Sequence, residues 1–218
     1  MIVLAIDTAG ADCAAAVYDT SRNELLSDVT EMIGRGHAEK LMGIIDQALD
    51  AAKIKMDAIE RIAVTVGPGS FTGIRVGVAA ARGLALALGV PAVGITTLEV
   101  LAAQAIEAGN HDANVLAAMD AKRGEIYRQT FSQAGEALDE PSAMLLEEAQ
   151  NLATDPRLLI VGSGRKLILG EDGASEPDRF PIGIVARLAA KEVSGKPRPL
   201  YLRGPDAKPQ MGFAVARM

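Results

Sequence analysis

The stretch Gly67-Pro68-Gly69-Ser70-Phe71-Thr72-Gly73-Ile74-Arg75 lies between the β-branched segment 62–66 and a run rich in alanine and leucine that extends to Leu88. Because isoleucine and valine favour strands whereas alanine and leucine favour helices, this pattern predicts a strand, a tight corner and a helix. Two glycines around a proline let the chain turn sharply and bring backbone N–H groups toward the positive end of the helix. Such a corner can hold an anion, or it can serve only as a close contact between strand and helix.

The corner does not match the common phosphate-binding or nucleophile motifs. A Walker A motif needs a lysine after its last glycine, whereas Gly73 is followed by isoleucine. A dinucleotide fingerprint needs an acid at the end of the next strand, and residues 92–95 contain none. Ser70 lacks the Gly-x-Ser-x-Gly context of a hydrolase nucleophile, so we assign it no catalytic role.

Composition limits the classes of function. Of the 218 residues 49% are hydrophobic but only 3% are aromatic, which predicts a core of small aliphatic side chains packed at short range. The net charge of −6 argues against a basic surface large enough to hold nucleic acid without a partner.

Cysteine and histidine are scarce. The single cysteine, Cys13, excludes an internal disulfide, and His37 and His111 lie far apart, so we expect no metal site. No long uninterrupted apolar segment is evident, which predicts a cytoplasmic protein without a membrane segment.

Periodicity and turn residues predict alternating strands and helices in the first half of the chain. The capping-box pattern at Thr96-Thr97-Leu98-Glu99 begins the last of these helices. The predicted strands are 2–6, 13–18, 25–30, 62–66 and 92–95, and the predicted helices are 37–53, 74–88 and 97–109.

The second half repeats the opening of the first. Residues 116–120 match the pattern of residues 3–7, an apolar strand that ends in aspartate, and a second strand follows in each case. A helix at 145–154, a strand at 158–161, a glycine turn at 162–166 and a helix at 182–193 complete this half. We therefore predict an α/β fold with an N-terminal lobe (1–109), a reduced C-terminal lobe (110–203) that begins at the Asn110-His111-Asp112 cluster, and a tail (204–218).

Two such lobes would place Asp7 and Asp120 at facing hairpin turns. Carboxylates about 4 Å apart repel by about 4 kcal/mol at an effective dielectric of about 20, so close approach would need a proton or a cation between them. A cleft for ATP or ADP with magnesium is one solution, and separate solvated acids are the other. The candidate nucleotide-binding residues are Asp7, Thr8, Gly67, Gly69, Ser70, Asp120, Gly162 and Gly164.

Two helices offer a surface for a second subunit. The helix that begins near Ile74 carries small residues on related turns, so another helix could approach it closely, and the helix that begins at His37 adds larger apolar side chains. The candidate interface residues are Met42, Ile45, Leu49, Gly77, Ala80, Ala81 and Ala85.

Several motifs resemble the TsaB (YeaZ) family across almost the whole chain to about Lys208. They are Ile6-Asp7-Thr8, the corner 67–75 with Gly83-Leu84-Ala85, the stretch 120–127, and Tyr201-Leu202-Arg203. The resemblance implies the actin-like ATPase (ASKHA) fold with two ribonuclease-H-like βββαβα lobes. It also implies a role in making N6-threonylcarbamoyladenosine (t6A) at position 37 of tRNAs that read ANN codons, as the partner of the catalytic subunit TsaD and the ATPase TsaE.

One departure distinguishes the subunit types. TsaD-like relatives carry an H-x-x-x-H metal motif where this chain has Thr97-Leu98-Glu99-Val100-Leu101, and neither threonine nor leucine can replace imidazole at a metal. We therefore expect no catalytic residues, no metal and no required cofactor. The hypothesis is a scaffold that docks on TsaD, meets tRNA only through the complex, and pairs with itself when isolated.

Two alternatives stay open. A small ATPase or kinase would use Asp7, Asp120 and both glycine turns, with ATP or ADP and magnesium at the lobe cleft or at a subunit interface. A metallopeptidase would need stoichiometric bound metal.

Overall fold

Two mixed sheets organise the chain in a computed structural model that describes residues 1–109, 113–155, 157–191 and 196–203. The predicted Asn110-His111-Asp112 boundary and the tail 204–218 lie outside the described residues. The first sheet has the strand order β3-β2-β1-β4-β5. Its strands are β1 (Ile2–Asp7), β2 (Asp12–Asp19), β3 (Glu24–Met32), β4 (Arg61–Gly67) and β5 (Ala92–Thr96), with helices α1 (His37–Ala52), α2 (Phe71–Leu88) and α3 (Thr97–Ala108).

The central strand of this sheet is β1. It runs antiparallel to β2, with Asp7 opposite Ala14, and parallel to β4, with Ile6 beside Val64. A short turn suffices for the first pairing, whereas the parallel pairing needs the long crossover that contains α1. Both faces of β1 are covered, which is why it is a continuous apolar run.

The second sheet repeats this topology with one strand fewer. Its order is β8-β7-β6-β9, so β6 corresponds to β1 and β9 to β4, while β5 has no counterpart. Its elements are β6 (Asn114–Asp120), β7 (Glu125–Phe131), β8 (Ser142–Leu145), α4 (Leu146–Leu152), β9 (Leu158–Val161) and α5 (Arg165–Leu169). The predicted actin-like fold, its internal repeat and its reduced second lobe are confirmed.

Two short elements differ from the prediction. The segment Ser142–Leu145 forms an edge strand on β7, and the predicted helix begins only at Leu146. The predicted glycine turn at 162–166 leads into the five-residue helix α5. Both elements are too short to show a periodicity in the sequence.

The last helix, α6 (Ile182–Lys191), follows the second sheet in sequence but packs against β1 and β2 of the first. Strand β6 links the two cores, because its side chains alternate between them. Val115 and Ala117 join the large core of the first lobe, whereas Leu116 and Ala118 join a smaller cluster with Ile126 and neighbouring side chains. The predicted range 110–203 thus contributes a helix to the packing of the first sheet.

Helix α2 is long and apolar enough, by length and composition, to cross a membrane, with a mean hydropathy of 1.4 over Phe71–Leu88. One side of it packs on β4, yet only 33% of the helix is buried. The other side exposes small and apolar residues together with Arg75 and Arg82.

Candidate functional site

The glycine corner of the first lobe is filled by the turn that follows β1. A Cβ atom on Gly73 would lie 1.9 Å from the carbonyl oxygen of Thr8, and one on Gly69 would lie 2.4 Å from that of Ala9. On the next helical turn, a Cβ atom on Gly77 would lie 2.4 Å from the hydroxyl of Thr8. These glycines are needed because the chain approaches itself closely here.

Three hydrogen-bond donors at this corner are used within the chain. The Ser70 amide donates to the Ala9 carbonyl (2.7 Å), and the Thr8 hydroxyl donates to the Gly73 carbonyl (2.7 Å). The Ser70 hydroxyl caps α2 by accepting from the Gly73 amide (3.2 Å). These three donors are not free for a phosphate, whereas a cavity of about 490 Å³ beside the corner is lined in part by Arg35, Ser70 and Thr72. Nucleotide binding by Thr8, Gly67, Gly69 and Ser70 stays a prediction.

Asp7 is fully buried beneath the corner. Its Oδ1 atom accepts from the Thr65 hydroxyl (2.5 Å) and the Ala9 amide (2.9 Å), whereas Oδ2 has no hydrogen-bond partner among the described residues. Burial raises the pKa of Asp7 from 3.8 to about 6, and the bonds from Thr65 and Ala9 oppose the shift only in part. Thr65, which the sequence gave no reason to single out, is thus the side-chain partner of this acid.

The corresponding acid of the second lobe, Asp120, has different partners. Its carboxylate accepts from the backbone amide (2.8 Å) and the ammonium group (2.6 Å) of Lys122. The Ser163 hydroxyl accepts from the Asp120 amide (2.9 Å) and donates to Asp178 (2.5 Å), and burial raises the pKa of Asp178. Asp7 and Asp120 therefore take these partners from their own lobes, and no cation between them is needed to explain their arrangement.

The second glycine turn is also a close contact. A Cβ atom on Gly162 would lie 2.4 Å from the Ala118 carbonyl oxygen, and the Gly164 amide donates to that oxygen (2.9 Å). A cavity of about 390 Å³ opens beside the turn, lined in part by Gln104, Ser163 and Asp178. Nucleotide binding by Asp120, Gly162 and Gly164 stays a prediction.

Thr97 connects the two lobes at the first turn of α3. Its buried hydroxyl donates to the Pro68 carbonyl (2.6 Å) and contacts the Met119 sulfur (3.5 Å). One turn later, Leu101 is 6% exposed and belongs to the large core. Both side chains are therefore part of the packing between the first corner and β6.

A segment that we call the C-terminal strap, residues 197–203, crosses the same junction. The Leu200 amide donates to the Val66 carbonyl at the end of β4 (2.8 Å). Farther along, the Tyr201 hydroxyl accepts from the Arg75 side chain (2.8 Å), and Arg203 pairs with Glu125 at the start of β7. The motif at 201–203 carried the family resemblance, but no local pattern indicated that it joins the lobes.

The structure corrects most of the predicted partner interface. The residues Ile45, Leu49, Gly77, Ala81 and Ala85 are buried in the chain's own lobe, so their prediction as a free surface is wrong. Helical periodicity identified an apolar face but did not show that this face packs on the sheet.

Of the predicted interface, only Met42 and Ala80 lie on the exposed side of the two helices. Met42 on α1 is 47% exposed and Leu86 on α2 is 85% exposed, while Ala80 is half-buried. Ala79 and Gly83 share the exposed face of α2 with Leu86 because they lie one helical turn apart. We call Met42, Ala79, Ala80, Arg82, Gly83 and Leu86 the outer face, in which Arg82 is an exposed cation.

His37 begins α1 and is buried, with its Nε2 atom donating to the Asp12 carbonyl (3.1 Å). Within the described ranges, no group of three or more histidine, cysteine, aspartate or glutamate side chains is arranged to hold a metal ion.

The chain is similar in sequence to one protein family and to several known proteins, and similar in structure to a solved protein. A family described as "TsaD: tRNA N6-adenosine threonylcarbamoyltransferase" matches residues 26–162. An uncharacterised protein of Mycobacterium tuberculosis is 31% identical over 95% of this chain and 94% of its own length. The "tRNA threonylcarbamoyladenosine biosynthesis protein TsaB" of Buchnera aphidicola is 31% identical over 78% of this chain and 82% of its own. The solved structure of YeaZ from Pseudomonas aeruginosa superposes with a TM-score of 0.77 at 26% identity, covering 92% of this chain and 99% of that one.

Proposed function

This chain belongs to the TsaB (YeaZ) family of tRNA threonylcarbamoyladenosine biosynthesis proteins, and on that premise we propose that it is a non-catalytic subunit that docks on TsaD and holds it in an active arrangement. In this proposal TsaE works with the pair, and the assembly acts on tRNA in the cytoplasm.

The observation that carries the proposal is the environment of Thr97 and Leu101. These residues stand where TsaD-like relatives have the two histidines of their metal motif. Here Thr97 donates to Pro68 and Leu101 lies in the core, so neither offers a nitrogen or carboxylate ligand. An imidazole at either position would have to displace packed side chains. Without these metal ligands, docking on a catalytic partner is the role that is consistent with family membership.

The outer face supports docking as that role. It combines a strongly exposed leucine with small residues and the exposed Arg82, and the Cβ position of Gly83 has no atom within 4 Å. Because apolar surface of this kind is costly in water, it favours a covering partner. The same face would let isolated chains pair with one another.

The test is co-elution of this chain with TsaD after Leu86→Glu. We expect the charge to abolish the complex, since it would be buried without a partner in the interface. The matched control is Leu138→Glu, which changes a leucine that is 52% exposed in the second lobe and should leave the complex intact. Unchanged co-elution of the Leu86→Glu variant would overturn the outer face as the docking site.

The proposal requires no nucleotide on this chain alone, and three donors of the first corner are used internally. We expect no magnesium-dependent ATP turnover by the purified chain. Turnover that Asp7→Asn abolishes would instead favour a small ATPase or kinase.

A further inference from the structure

We propose that residues 212–216, in the tail that follows the C-terminal strap, add a strand to the free edge of β9. The occupant of this edge is thus a segment of the chain itself, Gly212-Phe213-Ala214-Val215-Ala216, which lies outside the described residues. The added strand completes the sheet of the reduced second lobe, and it does so whether or not the chain docks on TsaD.

The edge of β9 is open where the first sheet has a further strand. β4 lies between β1 and β5, whereas its counterpart β9 pairs only with β6 among the described strands. Residues 159–161 take part in no other backbone hydrogen bond between described residues. Because every residue of a strand carries an N–H donor and a C=O acceptor, such an edge is a template for pairing with another segment.

The side chains of β9 are apolar but incompletely covered. With a strand on each side, residues 62–67 of β4 are all buried. β9 has the sequence Leu-Leu-Ile-Val, yet only Ile160 is buried and the other three residues are half-buried. Covering this apolar edge with a further segment would remove it from water, which is favourable.

The tail contains the side-chain pattern of β5, the strand that has no counterpart in the second sheet. In β5, Val93 and Ile95 are buried and alternate with three small, half-buried residues. Residues 212–216 have the same order of small and large side chains: glycine, phenylalanine, alanine, valine and alanine. Such alternation places the large side chains on one face of a strand. The pattern therefore selects this segment as the missing edge strand.

The strap brings the tail to the end of the second sheet at which β9 also ends. Arg203 donates to the Lys122 carbonyl (3.2 Å) in the turn after β6, and Val161 at the end of β9 lies beside Ala117. A strand beyond β9 would lie three strand spacings from β7, about 14 Å, and about 10 Å back along the strands. Residues 204–211 can extend to about 26 Å, so they reach this position.

A strand from another molecule is the alternative occupant of the edge. A short linker gives the chain's own segment an effective concentration in the millimolar range, which favours it over a segment that must arrive by diffusion. Because the tail arrives at the carboxyl end of β9, it runs antiparallel to that strand. An antiparallel strand at the edge of a parallel pair is a common arrangement.

The experiment measures hydrogen exchange by mass spectrometry in the full chain, in Phe213→Asp and in Ala207→Asp. The first variant puts a charge at a large-residue position of the added strand, and the second puts the same charge in the linker. We expect peptides that cover 157–162 to exchange about tenfold faster in Phe213→Asp than in the wild type, and at the wild-type rate in Ala207→Asp. Peptides that cover 62–66 should exchange equally in all three proteins, which controls for folding of the first lobe.

Equal exchange of 157–162 in the wild type and in Phe213→Asp would overturn the added strand. Equal loss of protection in both aspartate variants would overturn the selection of the segment by its side-chain pattern. Protection that rises with protein concentration would assign the strand to a second chain, and protection that appears only with TsaD would assign it to that partner. Either result would overturn the chain's own tail as the occupant. Because the chain alone is measured first, a failure to dock on TsaD would refute the proposed function and leave this test intact.

Discussion

The two glycine corners follow the same plan but differ in what they support. In the first lobe, residues 67–75 pack onto Thr8 and Ala9 over a fully buried acid and lead into the 18-residue helix α2. In the second, residues 162–165 pack onto Ala118 beside a partly exposed acid and lead into the five-residue helix α5. The first corner is thus built to hold a long helix rigidly against its sheet.

This difference fits the proposed scaffold role. The close backbone contacts that could cradle a phosphate instead fix the position of α2, whose other side is the outer face. The reduced second lobe contributes the turn to which the C-terminal strap is anchored.

The largest effect is expected from Gly73→Ala. Its Cβ would overlap the Thr8 carbonyl at 1.9 Å, so α2 would have to move, and we expect a loss of about 3 kcal/mol in the free energy of unfolding. In the second corner, Gly164→Ala meets Ala118 at 3.1 Å and should cost about 1 kcal/mol. Urea denaturation followed by circular dichroism measures both values.

Gly83→Ala is the matched control on α2, because no atom lies within 4 Å of its Cβ position. It should stabilise the protein by about 0.5 kcal/mol, as alanine favours the helix. Equal costs for Gly73→Ala and Gly164→Ala would remove the distinction between the corners.

The next effect concerns the pH dependence of stability. Since burial raises the pKa of Asp7 from 3.8 to about 6, the folded state binds more protons than the unfolded state between these values. The stabilisation from Asp7 is therefore present below about pH 4 and is lost as the pH rises through about 6, a change of about 3 kcal/mol.

Asp7→Asn should remove this decrease of the free energy of unfolding with rising pH. The amide oxygen can still accept from Thr65 and Ala9, and no charge is buried. Chemical denaturation at several pH values compares the two proteins. An Asp7→Asn variant whose stability falls with pH as steeply as that of the wild type would contradict the assignment. Asp178 in the second corner should also make the free energy of unfolding decrease as the pH rises, since burial raises its pKa too.

A smaller effect is expected from Ser70→Ala, which removes the side-chain cap of α2 and should cost about 1 kcal/mol of stability. Ser70→Asp should retain most of it, since the carboxylate can accept from the Gly73 amide and suits the helix dipole. The N-cap residue of α5 is Gly164, which has no side chain to cap the helix, so this contribution belongs to the first corner alone. The thermal unfolding midpoints of the wild type, Ser70→Ala and Ser70→Asp measure this contribution; equal midpoints for the wild type and Ser70→Ala would show that the cap does not stabilise α2.

The smallest effect is the coupling between the strap and the second lobe. Arg203 and Glu125 are 24% and 32% exposed, so solvent screens the pair in part and a double-mutant cycle to alanine should give about 0.5 kcal/mol. Strictly additive single variants would show that the ion pair does not hold the strap.

The sequence predicted the lobes because strand and helix periodicities are local, and the repeated strand that ends in aspartate marked the second lobe. It did not predict which side of α1 and α2 packs on the sheet, so Ile45 and Ala81 were misplaced on a surface. It also missed Thr65 and Asp178, since the contacts of these side chains join residues 58 and 15 positions apart. The strap was missed for the same reason: its partners are set by tertiary packing, and no short motif encodes them.

The central claim is that this chain activates a catalytic partner and does not itself transfer the threonylcarbamoyl group. The most direct measurement is t6A formation on tRNA in a reconstituted mixture from which TsaD or this chain is left out in turn. We predict that modification requires TsaD, that this chain alone gives none, and that the Leu86→Glu variant fails to support it. Modification of tRNA by this chain in the absence of TsaD would contradict the claim.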